Sequence, residues 1–218
     1  MKQLLFLVFM LKFHILYGKQ IKCTSLETAV IETKSGKIRG ICTFTNANDK
    51  IGEDRSTNVY KFLGIPYAEA PINEKRFKEP VKKESWSSTL DTQSLPKSCP
   101  QYINSNISNK IEFTNSFGLN KNAETSEDCL FLNIYTSNLP QNSKEKRPVM
   151  VVIHGGSDVG QGSSVLSVHE PSIFVAMSGA VVVTLNYRLG IFGNLYFNNG
   201  TEFFKGTVIH NKFRCILV

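Results

Sequence analysis

The 218-residue sequence has one tryptophan, four histidines and 20% charged residues. None of its lysines and arginines gather into a run of about five or six like charges, so the formal +7 charge gives no footprint for nucleic acid. No apolar stretch reaches the roughly 20 residues of a membrane-spanning helix. No internal repeat is present, which excludes a solenoid or propeller. Disorder and a collagen-like fold are excluded as well, because 41% of the residues are hydrophobic and can build a core.

The longest apolar run, residues 4–11, follows the cationic start at Lys2, is interrupted by Lys12 and resumes over 13–17. That shape predicts a secretory signal over residues 1–18, with small residues after it at Gly18 or from Cys23 to Ser25. An uncleaved anchor is the alternative, and no other membrane span is expected. Export would make disulfides available to Cys23, Cys42, Cys99, Cys129 and Cys215, an odd set. Asn106 and Asn199 begin Asn-x-Ser/Thr sequons and are candidates for glycosylation in an exported chain.

Residues 29–45 read as a hairpin turning at Ser35-Gly36, and 46–58 as a polar loop. The stretch 93–126 is rich in Asn and Ser and predicts a long loop or several short helices. Three continuous apolar runs follow, at 129–135, 149–153 and 181–187. Their lack of polar alternation predicts strands covered on both faces, as within a largely parallel sheet. Between the last two, residues 170–178 carry Pro171 near the start and Gly179 just past the end, the signature of a crossover helix. The second half therefore predicts an α/β fold.

His154-Gly155-Gly156-Ser157 stands at the carboxyl end of the second run. Two glycines there let the backbone turn sharply and free its amides, which could hold a developing oxyanion or simply close a tight turn. The surroundings carry more weight. In order along the chain stand YKFLGIPYAEAP (60–71), RFKEP (76–80), SEDCLFLNIYT (126–136), RPVMVVIHGG (147–156) and VVVTLNYRLG (181–190). From about residue 30 to 193 this resembles the type-B carboxylesterase and cholinesterase family, which also holds non-catalytic adhesion members such as the neuroligins.

The resemblance implies the N-terminal part of an α/β-hydrolase fold, a small N-terminal β-hairpin sheet plus the first strands of the large central sheet. It implies a domain over 19–193 and an unrelated tail over 194–218. Cys99 and Cys129 match the family's first disulfide. Arg76 and Glu127 match a buried ion pair tethering the small N-terminal region to the sheet. Gly155, Gly156 and Ser157 match the oxyanion-hole turn. Trp86 matches a structural position, and Leu119 falls where cholinesterases place the aromatic that receives a quaternary ammonium. Asp158 replaces a residue that is usually aromatic. Its charge at about 6 Å from an oxyanion would oppose it by roughly 3 kcal/mol, about a hundredfold in rate.

The family's chemistry needs a Ser on a Gly-x-Ser-x-Gly elbow, then an acid, then a His, and neither a metal nor a cofactor. The sequence holds no such elbow. Gly155-Gly156-Ser157-Asp158-Val159 and Gly162-Ser163-Ser164-Val165-Leu166 both lack the last glycine. His14, His154, His169 and His210 follow none of the required elements. The carboxylate that Arg188 meets in the family belongs to a stretch with no counterpart after Asn194. The sequence therefore predicts a truncated, catalytically silent relative of enzymes that cleave small carboxylic esters. A cell-surface or secreted binding protein of the adhesion branch, with a protein partner, is the second expectation. The third is a chain that does not fold stably, because its sheet would end in an open apolar edge after 181–187.

Overall fold

A computed structural model describes residues 22–23, 27–48, 52–101, 124–140, 146–155, 163–165 and 170–195, with the backbone of 197–198 and 203–204. Residues 1–18, Asn106, Leu119, Gly156 to Asp158, His169, Asn199, His210 and Cys215 lie outside the described residues.

The hairpin forms where Ser35-Gly36 sits, joining β1 (Thr28–Thr33) to β2 (Gly36–Thr45) in antiparallel register, Thr33 opposite Gly36 and Ala29 opposite Gly40. Gly36 has φ +137°, a conformation that disfavours a side chain, and the Trp86 carbonyl and indole ring fill the space beside it. Trp86 locks that turn, its amide donating to the Ser35 carbonyl and its Nε1 to the Lys37 carbonyl, each at 2.8 Å.

β2 pairs with β3 (Thr57–Pro66), and the short β4 (Leu90–Asp91) runs parallel along β2. β3 then pairs antiparallel with β5 (Phe131–Thr136), with a register irregularity between Phe62 and Ile65. Gly64 lies inside that irregularity at φ +74°, its amide donating to Asn133 Oδ1 at 2.9 Å. β3 thus joins the N-terminal hairpin and the central strands into one seven-stranded mixed sheet, ordered β1-β2-β3-β5-β7-β6 with β4 beside β2.

β7 (Val181–Leu185) lies between β5, to which it is antiparallel, and β6 (Val149–Ile153), to which it is parallel. The crossover is α1 (Ser172–Ser178), shorter at its start than the sequence suggests because Glu170 turns back on it. Glu170 Oε2 accepts the Ser172 amide at 3.1 Å, satisfying one of the donors a helix leaves open at its start. Gly179 ends α1 in the left-handed conformation with its amide on the Val175 carbonyl. α2 (Gly190–Asn194) follows β7, and β8 (Phe197–Asn198) pairs with β9 (Phe203–Phe204).

Alternation along β3 feeds two cores. Phe62, fully buried, joins Ile38 and Ile65, while Val59 and Leu63 join Tyr135, Val175 of α1 and Val182. Two expectations need correction here. Among the described residues the longer strand pairs are mostly antiparallel, with β6 and β7 the exception. Among the described residues the apolar edge strand is β6, not the run at 181–187, because β7 has a strand neighbour on both sides. Val149, Met150, Val151 and Ile153 are accordingly 46–63% exposed.

Candidate active site

β6 and β7 run parallel with Ile153 opposite Leu185, so the next residues of each strand emerge side by side at one carboxyl end of the sheet. In open α/β sheets that end is where ligands bind. β6 delivers His154-Gly155 there, and β7 delivers Asn186-Tyr187.

His154 is buried, its ring stacked on Tyr187 with centroids 4.3 Å apart and planes 12° from parallel. The Tyr187 hydroxyl donates to the His154 carbonyl at 2.9 Å, and His154 Nδ1 lies 3.0 Å from the Gly155 carbonyl. The ring is thus held by the Tyr187 stack and by the Nδ1 contact, while the hydroxyl of Tyr187 holds the His154 backbone. Gly155 is exposed, and a side chain built on it would meet nothing within 4 Å.

Behind this turn lies a buried polar network. Asn133, in the middle of β5 and fully buried, donates from Nδ2 to Ser164 Oγ at 3.3 Å and to Thr184 Oγ1 at 3.0 Å. Asn186 Oδ1 accepts from Ser163 Oγ, the Ser164 amide and Ser164 Oγ at 2.8–3.1 Å, and Nδ2 donates to the Lys97 carbonyl at 3.0 Å. Ser98 Oγ completes it by donating to Ser163 Oγ at 2.8 Å. Sharing buried polar groups in this manner avoids the 1 to 3 kcal/mol that each unsatisfied group would cost, roughly. Residues 163–165, which the second near-miss motif contains, are tied to the sheet rather than presented as a nucleophile.

Of the residues implied by the resemblance, the structure joins Cys99 to Cys129 with Cα atoms 5.0 Å apart, packed against Tyr67, Ala68 and Leu130. A second bridge, Cys23 to Cys42, ties the chain before β1 onto β2. Sequence reasoning had both cysteines in hand and no reason to pair them. The Cys23 amide also donates to Asn58 Oδ1 at 2.9 Å, so Cys23 itself is part of the fold.

Arg76 meets Glu127 through two hydrogen bonds, Nε to Oε2 at 2.5 Å and Nη2 to Oε1 at 2.8 Å. The hydrogen bond and charge of Glu127 push the guanidinium pKa up. The pair is not buried as the resemblance implies, since its side chains are 40% and 24% exposed, so solvent screens it. Arg188 is buried beside it, and Nη2 donates to the Lys78 carbonyl at 2.8 Å. Burial lowers its pKa. Phe77 of the RFKEP segment stacks on Phe192 of α2, with ring centroids 5.8 Å apart. Among the described residues no His, Cys, Asp and Glu cluster could hold a metal, and no helix is long and apolar enough to cross a membrane.

A mixed sheet whose parallel strands β6 and β7 are joined through a crossover helix is that of a partial α/β-hydrolase fold. The model of the carboxylesterase family matches residues 27–207, and the chain belongs to that family. It is 37% identical to a medium-chain fatty acyl-CoA hydrolase precursor of Anas platyrhynchos, over 83% of this chain and 30% of that one. An acetylcholinesterase of Leptinotarsa decemlineata is 34% identical, over 82% of this chain and 28% of the relative. Neuroligin-2 of Mus musculus is 31% identical over 81% and 23% respectively. The chain thus spans under a third of the length of these relatives.

Proposed function

We propose that this chain carries the oxyanion side of a carboxylic-ester hydrolase site and, by itself, hydrolyses no ester. The observation that carries the reading is a pairing of presence and absence. His154-Gly155 stands at the carboxyl end of β6 with Gly156 and Ser157 next in sequence, while the 218 residues contain no Gly-x-Ser-x-Gly. In acyl transfer a serine attacks the carbonyl carbon, a histidine takes its proton and returns it to the leaving alcohol, and backbone amides hold the tetrahedral oxygen. Gly155, with Gly156 and Ser157 after it, supplies donors for that last task. Donors without a nucleophile lower no barrier to acylation.

The test is hydrolysis of p-nitrophenyl acetate by the purified mature chain, with and without an organophosphate serine reagent. Background rates in both samples are expected, and turnover abolished by the reagent would overturn the reading. Two disulfides and the cationic, apolar lead over 1–18 support an extracellular or secreted setting, in which Asn106 and Asn199 are open to glycosylation.

A second reading, a non-catalytic binding protein with a protein partner, is favoured by Ser157-Asp158 and by the likeness to neuroligin-2. An acidic residue at 158 opposes an oxyanion but not a protein interface. The transcript downstream of Phe192 separates the two. A Gly-x-Ser-x-Gly in frame there supports the enzyme, and another residue in place of that serine supports the binding protein.

A further inference from the structure

We propose that the Cys23–Cys42 bridge is a thiol-operated latch: a dithiol reductant opens it while Cys99–Cys129 stays closed, releasing residues 22–23 from β2 and leaving the sheet intact. Such a latch is independent of the ester chemistry proposed above.

Exchange begins when a thiolate attacks one sulfur of a disulfide, so access to a sulfur decides which bridge reacts. The Cys99–Cys129 bridge offers none, since its cysteines are 2% and 0% exposed and packed against Tyr67, Ala68 and Leu130. In the other bridge Cys42 is just as closed, at 0%, but Cys23 is half-buried and within reach of a small thiol. Attack therefore falls on Cys23 Sγ. The incoming sulfur bonds to it, the bond to Cys42 breaks, and Cys42 leaves as a thiolate that takes up the proton the attacking thiol gave to water. The reductant's second thiol then displaces the first sulfur from Cys23. Two cysteine thiols result, and the dithiol ends as a disulfide.

Little else holds residues 22–23 in place. The Cys23 amide donates to Asn58 Oδ1 at 2.9 Å, and Lys22 Nζ lies 4.2 Å from the centre of the Phe44 ring. One hydrogen bond and one cation–π contact are weak against the entropy of a freed chain. β1 is held separately. It pairs with β2 from Thr28 opposite Ile41 to Thr33 opposite Gly36, and the Cys42 amide donates to the Glu27 carbonyl at 2.9 Å. Opening the bridge thus frees what lies ahead of that ladder and not the ladder itself.

The test is a dithiothreitol titration of the folded full chain, after thiols outside the two bridges are blocked with N-ethylmaleimide. Iodoacetamide labelling and peptide mapping then report each bridge. Cys23 and Cys42 should take label at a reductant concentration at least about tenfold below that needed for Cys99 and Cys129. With glutathione in place of the dithiol, the trapped mixed disulfide should sit on Cys23. Both bridges opening together, Cys99–Cys129 opening first, or glutathione on Cys42 would each overturn the proposal. Hydrogen exchange read by NMR at the selective concentration checks the release. The Cys23 amide should exchange at least about tenfold faster than in the oxidised chain, while the Cys42 amide keeps its protection. Loss of protection at both amides would mean that the bridge holds the sheet, and loss at neither that it holds nothing. Either result sinks the latch.

Discussion

Replacing Cys99 and Cys129 together by alanine opens a loop of 30 residues. In the chain-entropy relation, a closed loop of that length restricts the unfolded chain by an amount equal to about 3.6 kcal/mol at 25 °C. Both sulfurs are also buried, at 2% and 0% exposure, against Tyr67, Ala68 and Leu130. Losing two atoms of methylene size from that cluster adds about 1 to 2 kcal/mol. The expected loss is thus about 5 kcal/mol, comparable with the whole stability of many domains. The Cys23–Cys42 bridge closes 19 residues, worth about 3.2 kcal/mol, and Cys23 is only half-buried, so its removal should cost less. Urea unfolding of the purified mature chain, followed by far-ultraviolet circular dichroism and by the fluorescence of Trp86, compares the two variants directly. The Cys99/Cys129 variant should show the lower midpoint and a steeper denaturant dependence, since its unfolded chain exposes more surface. A loss under about 1 kcal/mol, or a larger effect from the Cys23/Cys42 pair, would refute the reasoning. So would a non-reducing peptide map without a Cys99 to Cys129 link.

Glu170 gives a pH dependence of known sign. Burial opposes its ionisation, but hydrogen bonds from Ser172 and Lys61 and the lysine's charge outweigh burial and hold its pKa below 4.5. A depressed carboxylate contributes stability above its unfolded pKa and loses it as pH falls through the folded value. Glu170→Gln should therefore be less stable than wild type at pH 7 and converge on it as acid protonates the folded carboxylate, and a gap independent of pH would sink the assignment. Gly36→Ala forces a side chain into φ +137° with the Trp86 carbonyl 2.4 Å from the new carbon. Strain and overpacking together predict a loss of about 2 to 4 kcal/mol in thermal or urea melts, and a neutral result would mean that the turn is not locked by Trp86. Val151→Lys puts a charge on the open edge of β6, where the valine is 49% exposed. Stability should stay within about 0.5 kcal/mol of wild type in urea melts, and a loss above about 1 kcal/mol would mean that Val151 is covered in solution.

The local elements were readable from the chain because each depends on near neighbours. Ser35-Gly36 marks the hairpin, Pro171 and Gly179 bracket α1, and the three apolar runs became β5, β6 and β7. The candidate turn was readable too, since His154-Gly155 follows a strand directly. What escaped were the partners of polar residues inside apolar runs. Asn133 sits within FLNIYT and looks like an interruption of it, yet the pairing of Asn133 with Thr184 makes it the center of a buried network. Asn186 likewise reads as one letter of a motif, and its grip on Ser163 and Ser164 depends on a loop more than 20 residues earlier in the chain. The Cys23–Cys42 bridge escaped for the same reason. Several pairings of the cysteines are compatible with the count, and only the registers of β1 and β2 bring these two together.

The case of β6 is the most instructive, because there the pattern was read properly and still misplaced the edge. Five consecutive apolar residues, Val149–Ile153, state that a strand requires cover on both faces. They do not state what provides it. β7, of almost the same composition, obtains β5 on one side and β6 on the other, and Val182 and Leu185 are buried at 1% and 0%. Among the described residues β6 has β7 as its only strand neighbour, and Val149 is left 63% exposed. Composition therefore records a demand for burial, and topology decides which strand has it met. The same strand carries His154-Gly155 at its carboxyl end, so the site proposed here begins on an edge strand of the described sheet.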